Sequence, residues 1–271
     1  MIDFLRTCHP QPPVQGPVGN SPSRYAQELG GPYPQQWWEY AQSIGQQPNT
    51  PIDRETVRRI GRDPTLDPRL LYAVIMAWGG QRMDHFRSSI AGEGLPRIVE
   101  DLRESNRSRS EDFQRVKARA KYIPGLGLAF YTKLLWFLRP APDAFILDQW
   151  TAKGVLFLGM GNTVRLRPYN ATNGYAAPDS ATTGQEYEAF CQRMEDLPAQ
   201  LWGDAVVCDP SAGETAVFDA PRGRWRSFVS AHFKNRCAGR LLVQGGTPVT
   251  TEQDFQTGVL RVEANGLVHS F

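Results

Sequence analysis

Backbone, not side chains, supplies the first chemistry in "YIPGLGLAFYTKLLWFL", residues 122–138. Pro124 and Gly125 end one helical pattern, and Gly127 lets the chain double back before a second begins near Leu128. Glycines at a helix N-terminus expose N–H groups to the aligned peptide dipoles, which favour an anion, and a DNA phosphate fits that description. Gly125, Leu126 and Gly127 are therefore candidate phosphate contacts, although an ordinary helix–helix turn would use the same residues. A second feature is Asp148, which follows the short apolar run "FIL" and stands directly before "QWTAKGV", the position of a helix N-cap. A third is charge. Residues 221–240 hold six Lys/Arg and no Asp/Glu, with Trp225, Phe228 and Phe233 interleaved, a pattern that tilts toward nucleic acid and makes Arg224 and Arg226 candidate DNA contacts. Residues 101–121 hold seven Lys/Arg against four Asp/Glu, which a solvated helix face explains as well as phosphate binding does.

Other chemistries find little support. His9, His85, His232 and His269 are scattered, with no Gly-x-Ser-x-Gly elbow and no His-Glu-x-x-His pair. Cys8, Cys191, Cys208 and Cys237 form no Cys-x-x-Cys pair, so neither a disulfide framework nor a metal ligand set is readable. The "GMGN" at 159–162 follows a helical pattern rather than a strand and does not read as a nucleotide loop. No metal and no cofactor is expected.

The elements that must position these residues read as short helices. The chain has 271 residues, 41% hydrophobic and 21% charged, the balance of a globular protein that folds alone as a monomer. Its longest apolar run, "LLYAVIMAW", falls well short of the roughly 20 residues of a membrane span. The N-terminus lacks the pattern of a secretion signal, so a cytoplasmic protein is expected. Residues 1–20, with four prolines, read as an irregular arm. Helices follow, with stops at Gly45, Gly61 and Gly79-Gly80 and caps at Asp53, Asp67 and Ser110. Residues 159–184 read as a long irregular connection, and helical pattern returns in "QEYEAFCQRMEDLPAQLW" and "GRWRSFVSAHF". Residues 241–271 form a tail in which "VLRVEANGLVHSF" predicts a β-hairpin around Asn265-Gly266. The expectation is a mainly α protein with one helical body over 21–240, containing the hairpin, and a small C-terminal β-hairpin.

A Pro-Gly-x-Gly hairpin followed at this distance by an apolar run and an Asp resembles the helix-hairpin-helix DNA glycosylase superfamily. "FYTKLLWFL" and "FILDQWTAKGV" are similar in particular to bacterial proteins with an 8-oxoguanine DNA glycosylase fold. The resemblance implies a helical bundle whose hairpin grips double-stranded DNA, with Asp148 as the catalytic carboxylate. In the mammalian-type enzymes the nucleophilic lysine stands five residues after the hairpin proline, which here is Ala129. Lys133 lies one turn further along the same face, about 6 Å at ~1.5 Å per residue. The role has thus either moved by one turn or been lost. The N-terminal β domain of those enzymes has no counterpart, since residues 21–65 read as helical.

The implied reaction cleaves the bond between a base and its sugar. A carboxylate beside C1′ stabilises positive charge on the sugar, and a partly desolvated lysine amine can attack C1′ and carry the sugar as a Schiff base, with strand-nicking lyase activity as its sequel. The base must first leave the duplex for a pocket, for which Phe130, Tyr131 and Trp136 near the hairpin, and Phe228, are candidates, although rings of this kind more often serve as plain core. By the same resemblance the turn "GGQRMDH" fills the hole left by the base, through Gln81 and Arg82. Substrates could be lesions repaired in the genome, oxidised guanine among them, or modified bases in phage DNA. The competing reading is a non-catalytic helix-hairpin-helix DNA-binding protein.

Overall fold

Asp53, Asp67, Ser108, Asp148 and Thr183 each accept hydrogen bonds from N–H groups in the first turn of the helix that follows. These caps satisfy donors that a helix start would otherwise orphan, and they set where the short helices begin. The computed structural model describes residues 2–12, 32–46, 52–158, 164, 166–170, 175–204, 211–218, 224–237, 243–244 and 247–248. Among them the protein is mainly α, as its sequence predicts, with twelve helices and four short strands. By contact the chain divides into two compact units, Val14–Ile146 and Met1–Pro13 with Leu147–Phe271, a boundary that falls inside the single helical body expected over 21–240.

In the unit Val14–Ile146 the helices are α2 (Pro32–Ser43), α3 (Arg54–Gly61), α4 (Pro68–Gly79), α5 (Met83–Ile90), α6 (Leu95–Arg103), α7 (Arg109–Ala120) and α8 (Leu128–Leu138). Every residue of α4 from Leu70 to Trp78 is buried, because α2, α3, α5, α6 and α8 all pack against it. A helix apolar on all sides has to be surrounded in this way. Asp67 caps α4 with Pro68 at its first position, and Gly80 closes it in the left-handed conformation (φ +67°). The cap of α7 is Ser108 rather than the expected Ser110. Ser108 stands three residues before Glu111, so the reciprocal capping box closes there. Buried Asp112 of α7 accepts from Ser105 Oγ (2.6 Å) and Arg107 Nε (2.7 Å) and pairs with Arg139, which also grips Asp143 twice at 3.1 Å. Charge burial is sustained because each member is partnered. The network anchors the Pro-broken turn that leaves α8.

The other unit begins with a correction. The arm expected to be irregular starts as helix α1 (Ile2–Cys8), with Leu5 fully buried. Arg6 donates to the carbonyls of Leu201 (2.9 Å) and Gln200 (2.7 Å), and Trp202 Nε1 donates to His9 O (2.8 Å), so α1 binds the C-terminal end of α10 (Gly184–Trp202). The remaining helices are α9 (Gln149–Phe157), α11 (Ala212–Phe218) and α12 (Arg224–Cys237). Within the connection expected to be irregular, β1 (Leu166–Asn170) pairs antiparallel with β2 (Tyr175–Pro178). Prolines hide this ribbon from the sequence pattern, yet both strands of a two-stranded sheet are edges, where proline is tolerated. Strands β3 (Val243–Gln244) and β4 (Thr247–Pro248) form a second, minimal pair. The hairpin expected around Asn265-Gly266 and the "GMGN" segment lie outside the described residues. No helix among the described residues is long and apolar enough to cross a membrane.

Candidate active site and nucleic-acid interface

The hairpin forms as the sequence predicts, and its two glycines have different reasons. Gly125 sits at φ +85°, and a Cβ there would stand 2.4 Å from the His85 carbonyl oxygen, so both backbone angle and packing exclude a side chain. Gly127, expected to let the chain double back, does not do so: it is the N-cap of α8 at an ordinary φ of −76°, with open space where a Cβ would point and no side-chain cap, and the left-handed residue of the turn is Gly125. Leu126, also expected to meet DNA, buries its side chain and donates its N–H to Ile123 O (3.1 Å). Two variants should therefore separate support from contact. Gly125→Ala is expected to cost at least about 1–3 kcal/mol in denaturant unfolding from the forced left-handed angle, with the overlap on the His85 backbone adding to it. Gly127→Leu should leave the unfolding midpoint nearly unchanged while weakening binding to all duplexes alike, since its side chain occupies the approach to the α8 N-terminus.

Gln81 plays a part the sequence does not reveal. It is 2% exposed; its Oε1 accepts from Tyr72 Oη (3.1 Å), and its Nε2 donates to Gly125 O (2.9 Å). Its amide thus fastens the hairpin to α4, whereas a residue that fills a vacated base position must face solvent. Arg82, exposed in the same turn, does face solvent; it hydrogen-bonds Asp84 and holds that carboxyl below its ordinary range.

Lys133 projects from α8 yet is only 5% exposed. Its Nζ donates to Ala129 O (3.2 Å) and lies 5.4 Å from the Phe130 ring centroid. The amine therefore folds back one turn, to the level of the residue that replaces the lysine of the mammalian-type enzymes. Gly79, at the end of α4, makes room for the stem, because a Cβ there would lie 2.7 Å from Lys133 Cδ and 2.8 Å from Cε. Phe130 is half-buried beside the amine. Trp136 is buried, with the guanidinium of Arg54 4.1 Å and that of Arg58 4.8 Å from its ring centroid, so it serves the core rather than a base pocket. A cleft of about 820 Å³ elsewhere in this unit, lined by residues such as Arg62, Pro68, Arg97 and Glu100, contains none of these groups.

In the other unit Asp148 is 9% exposed and caps α9, its Oδ1 accepting from Trp150 N (2.8 Å) and Thr151 N (3.1 Å). Thr151 Oγ1 accepts in return from Asp148 N (3.0 Å), completing a capping box. Trp150, the second residue of this helix, carries the Arg226 guanidinium 4.0 Å and Lys153 Nζ 4.8 Å from its ring centroid. The fold thus brings one candidate DNA contact, Arg226, to the helix that Asp148 opens. Phe228 packs instead on Phe4 (centroids 4.9 Å), and Arg224 lies 5.9 Å over the same Phe4 ring, partners that belong to α1. Sequence spacing marks Gly79 only as a helix stop and gives no sign of Trp150, because the part each plays here runs through a tertiary neighbour. Among the described residues no group of three or more His, Cys, Asp and Glu could hold a metal ion.

The family described as "Putative 8-oxoguanine DNA glycosylase OGG-like protein" matches residues 11–218, most of the chain and both candidate residues. The chain belongs to this family. Its helical architecture agrees with that membership. Searches of curated proteins and of solved structures found no match. The family makes the protein a DNA glycosylase-like, DNA-binding one.

Proposed function

We propose that this protein is a DNA glycosylase that flips a damaged or modified base out of double-stranded DNA and cleaves its N-glycosidic bond, with a Schiff-base lyase step on the same sugar. The observation that carries this reading is the Lys133 amine, buried in the helix that the hairpin opens and folded back onto Ala129 O. In the proposed reaction the unprotonated amine attacks C1′, the base departs with the bonding pair and takes up a proton, and the Asp148 carboxylate stabilises positive charge on the sugar. The resulting sugar–amine adduct opens to an imine, which can lose the 3′ phosphate by β-elimination. Oxidised guanine and the modified bases of phage DNA present the same bond to such a site.

A panel of duplexes, each with one modified base, tests the proposal through alkali-sensitive breaks. Cleavage of one or more is the expected result, and binding without cleavage of any would assign the chain to the non-catalytic reading. Gly79→Ala supplies a finer check. The added methyl overlaps the flexible stem of Lys133 rather than backbone, so the lysine has to move while the fold stands. Borohydride trapping should slow by about tenfold or more, with unfolding little changed, as expected when a reacting group is misplaced by about 1 Å. Unaltered trapping would separate the stem's position from the chemistry.

A further inference from the structure

The Arg226 guanidinium lies over two rings at once, 4.0 Å from the Trp150 centroid and 5.0 Å from that of Phe218. We propose that Trp150 and Phe218 are positioning residues, which hold Arg226 against one DNA phosphate beside the nucleotide whose sugar meets Asp148. This rests on the glycosylase reading above and extends it from the carboxylate to the strand that must be held against it.

The rings come from two helices, Trp150 from the first turn of α9 and Phe218 from the last residue of α11, while Arg226 belongs to the first turn of α12. All three side chains are half-buried, packed yet within reach of solvent. Rings over a guanidinium cover its flat faces and leave its N–H groups in the plane. With five such donors it can keep a contact inside the protein and still present others to a phosphate. Tryptophan is the strongest aromatic partner for a cation, so the long side chain is ordered before DNA arrives and less entropy is lost on contact. The clamp is also registered to the chemistry, because the N–H of Trp150 is one of the two that donate to Asp148 Oδ1, at 2.8 Å. The ring that holds the arginine and the N–H that holds the carboxylate thus belong to one residue. A purely structural use of the contact would be to pin α12 to its neighbours, but α12 has anchors of its own in the buried side chains of Trp225 and Val229. The segment around Arg226, residues 221–240, carries six Lys/Arg and no Asp/Glu, a local balance that favours an anion.

The test is a double-variant cycle read in duplex binding across a salt series, with thermal unfolding measured alongside. Arg226→Gln should weaken binding by about tenfold and flatten the salt slope by about 0.9, the signature of one lost phosphate. Trp150→Leu and Phe218→Leu keep the arginine and remove a ring, and each should weaken binding by about threefold to tenfold, the scale of ordering one long side chain. Trp150→Phe retains a ring and should bind within about twofold of the parent. Coupling decides the matter: Trp150→Leu/Arg226→Gln should bind no more weakly than Arg226→Gln alone, because the ring acts only through the arginine. On a duplex the parent cleaves, single-turnover base release by Arg226→Gln should fall by about tenfold, as the nucleotide is held less firmly against Asp148. Losses that add in the double variant, a parental salt slope in Arg226→Gln, or parental release by it each overturn the proposal. So does a lowered unfolding temperature in Arg226→Gln with parental binding, which would make the contact a structural pin. Should Trp150→Leu not fold, Phe218→Leu takes its place in the cycle under the same criteria. If Gly127→Leu weakens binding while Arg226→Gln does not, only this inference fails; if the parent binds no duplex, the glycosylase reading fails with it.

Discussion

Asp148→Asn removes base release and leaves α9 in place. The two bonds that Asp148 Oδ1 accepts, from Trp150 N and Thr151 N, need an oxygen rather than a charge, and an Asn side chain supplies one. Asn is as good an N-cap as Asp, so thermal unfolding should shift little, whereas Asp148→Ala should cost about 1 kcal/mol. In the proposed mechanism base release, unlike the cap, depends on charge. Without the carboxylate a positive sugar would lose a compensating charge, and single-turnover release should fall by at least about 100-fold, the lower end of the effect of one preorganised electrostatic group. A duplex that the parent cleaves is the substrate to use. Full activity of Asp148→Asn on it would show that the aspartate is a cap and nothing more.

Lys133→Gln is expected to abolish covalent trapping by borohydride, because an amide nitrogen cannot form the imine that borohydride reduces. Glutamine keeps a side chain that can lie across Gly79 and a donor for Ala129 O, so the buried site stays filled and bonded. If the amine is the first nucleophile, base release falls with trapping. If release survives at the parental rate while trapping is lost, the lysine acts only after water has displaced the base. Retention of both would make Lys133 structural and leave water near Asp148 as the nucleophile. Following free base and trapped protein in the same reaction separates these outcomes.

The cap residues were the most legible part of the fold. Asp53, Asp67 and Asp148 act locally, on N–H groups two or three residues away, and so declare themselves in the sequence. The hairpin was legible but its pivot was not: the reversal expected at Gly127 is made by Gly125, at φ +85°, two residues earlier. The closeness of Gly125 to His85 O was not legible either, because the contact joins segments distant in the chain. The same reason hid Gln81, whose type and exposed-looking turn suggested a surface role, while its partner Gly125 lies 44 residues on. Trp136 and Phe228 show the limit for aromatics: composition places a ring near the hairpin or in a basic segment, and only packing shows that one lies under Arg54 and the other against Phe4. The β1–β2 ribbon failed to declare itself because its prolines and neighbouring glycines mimic a loop.

The chain of hydrogen bonds from Tyr72 through Gln81 to Gly125 bears on timing as well as on shape. A loop tied through one buried and one part-buried bond to a central helix of its own unit has little freedom left to lose when DNA arrives. Encounter then carries little ordering entropy at that loop, and on the proposed function release from unaltered duplex would need no refolding of the loop before the next trial. An enzyme that must sample very many ordinary base pairs for each altered one gains more from such a stiff grip than from a tighter one.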